Sequence, residues 1–418
     1  MKKVVLGVLA LAAALSVALP AALARSDSPT ATPGVTSRSI TIGGTFPFSG
    51  PVSSYAPLAK GMEAYFNYVN SRKGPDGKKG VYGRKIIFKQ YDDGYNPANT
   101  VQLTNKLILE DKVFAIVGTL GTEPNLAIRP MLNQRKIPHA NLLTGASYWG
   151  ADYKKFPWTQ GWVLDYVSEG TMLAKWVRAN AARQKIAIFY QNDDYGKDYL
   201  RGFKNALGAA GRSRIVSERS YEVSDASYAP QIISQRASGA DTWVLFTTAG
   251  TPTVRALATA AQLRWKPDQI VLNSVAATDG VMQAVAARTG QEYLNGIIST
   301  GYTKNVTNPK YAKDSAIRTY RRIMGKYGPD GINIRNQFYF TGVANGFDFV
   351  KLLYKAGKNL TRDSLRKAYA KMNWVNPYLL KGSKVKTGSR DHFPIDQAKI
   401  TRYGNGSFSE EGKLLKGR

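Results

Sequence analysis

Two threonines stand at strand ends, where a side chain could meet a ligand, and one of them, Thr122, also stands at a helix start that favours an anion. Thr122 follows Gly118-Thr119-Leu120-Gly121, between the apolar run Val113 to Val117 and a helical pattern. Thr144 opens Thr144-Gly145-Ala146-Ser147 after a second extended run, His139 to Leu143. Loops at the carboxyl ends of parallel strands form ligand crevices, and helix amino ends collect unpaired N–H groups. The same residue types also serve as a plain helix cap and an ordinary turn. Two acid pairs, Asp92-Asp93 and Asp193-Asp194, are the other obvious candidates. Adjacent acids rarely share a face, and at strand-to-loop boundaries they are usually solvated, so neither pair makes a general acid–base couple. The chain has no cysteine, which excludes disulfides, thiolate metal sites and a cysteine nucleophile. His139 and His392 are too few for a histidine metal cluster, and His139 reads as strand packing. There is neither a G-x-S-x-G elbow nor a phosphate-binding P-loop. The sequence therefore points away from an enzyme and calls for no cofactor and no metal.

The elements that would carry these residues alternate strand and helix. Ser39 to Phe46 reads as a strand, with Gly43-Gly44 leaving its end open to close approach. Leu58, Met62, Tyr65, Phe66 and Val69 fall at helical spacing, and Lys85 to Tyr91 is a second strand. Asn96-Pro97 opens a helix, and Val113 to Val117 is uniformly apolar, as a buried parallel strand should be. Trp158 to Val163 has no helical pattern and reads as a first crossing to a second lobe. There the alternation restarts, from a helix around Val167 to Val177 through to a strand at Gly296 to Thr300. Two long helices follow, roughly 309–327 and 338–356; Thr361 caps a third, and Ala398 to Tyr403 is a last strand. This pattern predicts an α/β fold of two doubly wound parallel-sheet lobes. No tandem repeat relates the halves.

The length of 418 residues suits two such lobes, and 43% hydrophobic content is enough for a core in each. Lys2 and Lys3, the apolar stretch Val4 to Leu19 and Ala22-Leu23-Ala24 read as a secretory signal peptide over 1–24. The Ser/Thr/Pro-rich stretch 25–37 reads as a flexible leader. With no cysteine for a lipid anchor, the expectation is a freely diffusing, monomeric periplasmic protein. The formal charge of +29 is spread along the chain and not gathered in one basic arm, which favours a solvated basic surface over nucleic-acid binding.

Several segments resemble the branched-chain-amino-acid type of substrate-binding protein, the type I periplasmic fold that serves ABC importers. They are FPFSGPVSSYA (46–56), GVYGRKI (80–86), YDDGYNPANTV (91–101), AIVGTLGTEPNLA (115–127), LLTGASYWG (142–150), WTQGW (158–162), IAIFYQNDDYGKDYLRG (186–202) and ASGADTWV (237–244). The resemblance implies two lobes joined by a three-crossing hinge, with a small-molecule ligand in the cleft and a membrane permease as partner. Lobe one would comprise 38–161 plus 299–385, and lobe two 162–298 plus 386–418. It further implies that Thr122 and Thr144 hold a ligand carboxylate with a backbone group from Leu142. Tyr195 would close over the ligand from lobe two, and Tyr55 would stand near the pocket. Family members that bind α-amino acids place an acid after the strand that here ends at Leu272. This chain reads Asn273-Ser274-Val275-Ala276-Ala277, and its first acid is Asp279. The ligand could then be an amino acid, an amine-free carboxylate or an amide. Glu123 reads first as an acid stabilised at a helix start, with the alternative that it faces the cleft as the partner of an ammonium. The alternative reading is a ligand-sensing receptor module on the same fold.

Overall fold

Local signals start most of the helices. The computed structural model describes residues 32–417, so the proposed signal peptide lies outside the described residues. The last residues of the expected flexible leader are tied down instead. Thr41 N–H donates to Gly34 O at 2.7 Å, and Gly34 packs so closely on the Phe114 backbone that a Cβ there would clash.

The first lobe is built on β1 (Ser39–Phe46), α1 (Pro57–Ser71), β2 (Lys85–Asp92), α2 (Pro97–Leu109), β3 (Ile116–Val117), α3 (Thr122–Gln134), β4 (His139–Leu142), α4 (Tyr148–Ala151) and β5 (Thr159–Gly161). Its sheet has the order β2-β1-β3-β4-β5, all parallel. Ile116 joins Leu107, Ile128 and Leu132 beneath α2 and α3, while the next residue, Val117, joins the larger core on the opposite face. Asn96 caps α2 by accepting from Ala98 N–H, with Pro97 at the first helical position. The residues expected to cross between lobes, 158–163, first add β5 to the sheet, and the crossing begins at Trp162. Gly43 and Gly44 are approached by the protein itself: a Cβ would meet Leu107 at 2.4 Å and Val117 O at 2.3 Å.

The second lobe holds α5 (Tyr166–Asn180), β6 (Ile186–Gln191), α6 (Asp194–Arg212), β7 (Ile215–Tyr221), α7 (Ala229–Ala237), β8 (Thr242–Phe246), α8 (Thr251–Gln262), β9 (Gln269–Leu272), α9 (Asp279–Thr289) and β10 (Ile298–Gly301). Its parallel part repeats the first lobe's order, β7-β6-β8-β9-β10. The chain then returns to the first lobe with α10 (Ser315–Tyr327), α11 (Gln337–Ala356) and α12 (Arg362–Tyr369), of which α10 and α11 pack on α1. Thr361 and Ser364 form a capping box at the start of α12. After the short ribbon β11 (Asn373–Trp374) and β12 (Val385–Lys386), a third crossing delivers the antiparallel hairpin β13 (Gln397–Gly404) and β14 (Ser407–Lys416) to the edge of β10. Asp348, fully buried on α11, accepts from Trp162 Nε1 (2.7 Å), Trp374 Nε1 (2.6 Å) and Asn376 Nδ2 (2.8 Å), pinning the first crossing to α11.

Candidate ligand-binding site

In a sheet of this order the loops leaving neighbouring strands diverge at one point, between β1 and β3 in the first lobe and between β6 and β8 in the second. Ligands of open α/β sheets lie at such switch points. Here the two points face each other across a cavity of about 120 Å³. The first lobe supplies Tyr55, Tyr95, Leu120, Thr122 and Phe338, and the second supplies Tyr195, Thr248, Ser274, Thr300 and Asp279. No lysine, arginine or histidine lines it among the described residues. A cavity of about 150 Å³ takes a benzene molecule, so the scale is that of one ring or a short branched chain.

Hydrogen bonds across the cleft bridge the two lobes around the cavity. The Tyr55 hydroxyl accepts from Ala249 N–H at 2.8 Å and donates to Val275 O at 3.3 Å. Ser147 N–H donates to Asp198 Oδ2 at 2.6 Å, while Arg201 binds both Ser147 Oγ and Asp198. Glu123 Oε1 accepts from Asp194 N–H at 3.1 Å and so caps α6 from the opposite lobe. Thr251 N–H reaches Pro51 O at 3.2 Å.

Of the residues singled out by sequence, Thr122, Tyr55, Tyr195 and Ser274 are on the cavity wall. Thr122 is the first residue of α3, after Gly121 at φ 98°, and its hydroxyl lies 2.7 Å from that of Thr144. Thr144 stands behind it and accepts from Ala146 N–H. Leu142 is not on the wall: its side chain is in the core, and Leu143 lines the cavity. Tyr195 presents its ring, because its hydroxyl donates to Thr247 O and accepts from Asn273 Nδ2, both at 2.7 Å. Asn273 thereby turns inward, its Oδ1 accepting from Thr247 N–H at 3.0 Å. Glu123 is off the wall as well, occupied as a cap. Asp279, first acid after β9, does line the cavity, but its oxygens accept from Asn305, Ser407, Thr307 and Phe408 N–H.

The acid pairs are structural. Asp92 Oδ1 gathers the N–H groups of Phe48, Ser49 and Gly94, and Asp93 those of Tyr95 and the Thr100 hydroxyl, so together they shape the loop carrying Tyr95. Asp193 caps α6 through Gly196 N–H; burial pushes its carboxyl up to about 6. His139 is buried against Asn125 Oδ1 at 2.7 Å, and desolvation, helped by Arg129, lowers it to about 3, which keeps it neutral.

Residues 39–407 match a family model described as periplasmic binding protein. This chain belongs to the periplasmic binding protein family. A Leu/Ile/Val-binding protein homolog 7 of Brucella abortus is 23% identical over 314 residues, 72% of this chain and 74% of the relative. The same fold is seen in a branched-chain amino acid ABC transporter protein from Thermus thermophilus with bound valine. That match has a TM-score of 0.77 and 18% identity, and covers 91% of this chain and 97% of that one. A solute-binding protein of an ABC transporter from Rhodopseudomonas palustris HaA2, in complex with p-hydroxybenzoic acid, matches with a TM-score of 0.74 and 19% identity. It covers 91% of this chain and 98% of that one.

Within this binding-protein fold, the wall residues Tyr95, Tyr166, Thr248, Thr300 and Phe338 escaped the sequence reading, and so did one buried acid behind the wall. Glu169, in the first turn of α5, is fully buried and accepts from Ser274 N–H (2.6 Å), Ser274 Oγ (2.9 Å), Thr300 Oγ1 (2.9 Å) and Tyr199 Oη (2.8 Å). Burial pushes its carboxyl above the ordinary 4.5, against the pull of these four bonds. In the sequence it reads as an acid at a helix start, stabilised by the dipole.

Proposed function

We propose that this protein is an exported receptor that captures one small organic carboxylate between its lobes by hinge closure and delivers it to the membrane permease of an ABC importer. The observation that carries the reading is the bridged cavity at the switch points of both sheets. Thr122 offers a hydroxyl and a helix amino end, an arrangement suited to a carboxylate without any lysine or arginine. Tyr55, Tyr95, Tyr166, Tyr195 and Phe338 offer aromatic surface to an apolar body.

The acids on the wall are already engaged by other residues of the protein: Asp279 as above, and Glu410 by Lys310 and the Tyr311 hydroxyl. A buried ammonium without its own carboxylate costs several kcal/mol. This favours an amine-free carboxylate of single-ring size over an α-amino acid, although the fold's relatives include proteins named for either class. Export is supported by the pattern at 1–24 and by the family. Among the described residues, no helix is long and apolar enough to cross a membrane.

A thermal-shift screen tests the reading, with one panel of branched-chain and aromatic amino acids and one of amine-free aliphatic and aromatic carboxylates. A ligand at 100 times its dissociation constant stabilises by about 2.7 kcal/mol. Shifts from the second panel alone are the expected result. Shifts from the amino acids alone overturn the amine-free assignment, and silence from both overturns capture of a carboxylate.

A further inference from the structure

The buried carboxylate of Glu169 has no part in the cross-cleft bridges or the anion end, yet it touches two wall residues. Four donors surround it, two on each oxygen: Ser274 N–H and Thr300 Oγ1 on Oε1, Ser274 Oγ and Tyr199 Oη on Oε2. An ionised carboxylate has about four lone-pair positions, so this set fills it. A hydroxyl has a single proton. Ser274 and Thr300 spend theirs on Glu169, and both line the cavity. What they turn toward a ligand is therefore lone pairs alone. We infer that Glu169 is a specificity-determining positioning residue: it makes this part of the second-lobe wall an acceptor-only surface, selecting a carboxylate whose body carries a hydroxyl or amide N–H donor there. The inference deepens the carboxylate-capture reading and rests on it for the ligand's other end.

Glu169→Gln makes a sharp prediction. The Ser274 N–H cannot reverse, so the amide oxygen must take the place of Oε1 and the NH₂ that of Oε2. Ser274 Oγ must then accept from that NH₂, and its proton swings toward the cavity. A donor-seeking wall becomes partly donor-bearing.

Two measurements test this. Neutron diffraction on the perdeuterated wild-type protein locates the hydroxyl deuterons with no ligand needed. Deuterons of Ser274 and Thr300 on Glu169 are expected; one directed into the cavity overturns the inference. Titration calorimetry then compares 4-hydroxybenzoate with 4-fluorobenzoate, which share a carboxylate and a ring. The wild type should prefer the hydroxyl compound by about 10-fold or more, the usual consequence of leaving a buried polar group unpaired. The ratio should collapse or invert in Glu169→Gln and shrink in Ser274→Ala. A ratio unchanged in both variants overturns the inference. If neither benzoate binds the wild type, it is the ligand class that has failed, and the neutron result still decides the polarity of the wall.

Discussion

Replacing Asp348 by Asn converts a buried charge into a neutral isostere at the junction between the first crossing and α11. Burial, only partly offset by the bonds from Trp162, Asn376 and Trp374, raises the Asp348 carboxyl from 3.8 to about 6. The sign follows from linkage: the folded state holds the proton more tightly than the unfolded chain, so this group favours folding below about pH 4. That contribution is lost as pH rises toward about 6. A shift of about two units corresponds to about 3 kcal/mol, of which about 2 kcal/mol falls between pH 4 and 7.5. In Asp348→Asn the amide oxygen can keep Trp162 and Asn376, while its NH₂ faces the Trp374 N–H; the lost bond costs about 1–3 kcal/mol at every pH. Urea unfolding of both proteins at pH 4, 5, 6 and 7.5 separates the two effects. The offset at pH 4 reports the Trp374 bond, and the gap should move by about 2 kcal/mol in favour of the variant by pH 7.5. A gap that stays flat across this range refutes the reasoning that Asp348 is held as a raised, proton-binding group.

Further outcomes follow from single contacts. Glu123→Ala removes a cap that spans the cleft, worth about 1 kcal/mol; ligand release measured by stopped flow should quicken about 5-fold while the melting temperature without ligand stays put. A loss of about 100-fold confined to amine-bearing ligands would instead make Glu123 an ammonium partner. Gly121→Ala forces a side chain onto φ 98° and brings its Cβ to 2.5 Å from the Tyr95 ring; calorimetry should show destabilisation of about 1–3 kcal/mol and much weaker ligand binding. The His139 imidazole should show no NMR titration between pH 8 and 5, because its lowered proton affinity keeps it neutral until pH falls toward about 3. A midpoint near 6.5 would contradict its burial against Asn125.

The signals legible in the sequence were local ones. Asn96-Pro97 and Thr361 announced α2 and α12, and the apolar run before Gly118 announced a buried strand that ends at the loop carrying Thr122. The place of Thr122 on the cavity wall is legible because strand end, glycine turn and helix start adjoin in the chain. The role of Glu169 is not legible, because its partners lie 105 and 131 residues away, one just after β9 and one on β10, and only the folded lobe brings both to α5. The departure at Asn273 was visible, but its direction was not: period-2 geometry does not say that the side chain turns inward to Thr247 and Tyr195. β14 has a readable signal of its own. Asn405-Gly406, both at positive φ, form the two-residue turn that specifies a hairpin. Thr159 to Gly161 is too short for periodicity to reveal as β5, and β4 alone gives it a partner.

The proposed receptor holds its carboxylate at Thr122. Titration calorimetry of the wild type and Thr122→Val with the best carboxylate from the screen, and with its methyl ester, tests this most directly. One ligand per chain, no binding of the ester, and a loss of about 10-fold or more in Thr122→Val are the predicted results. Equal binding of acid and ester, or an unchanged affinity in Thr122→Val, would contradict the account.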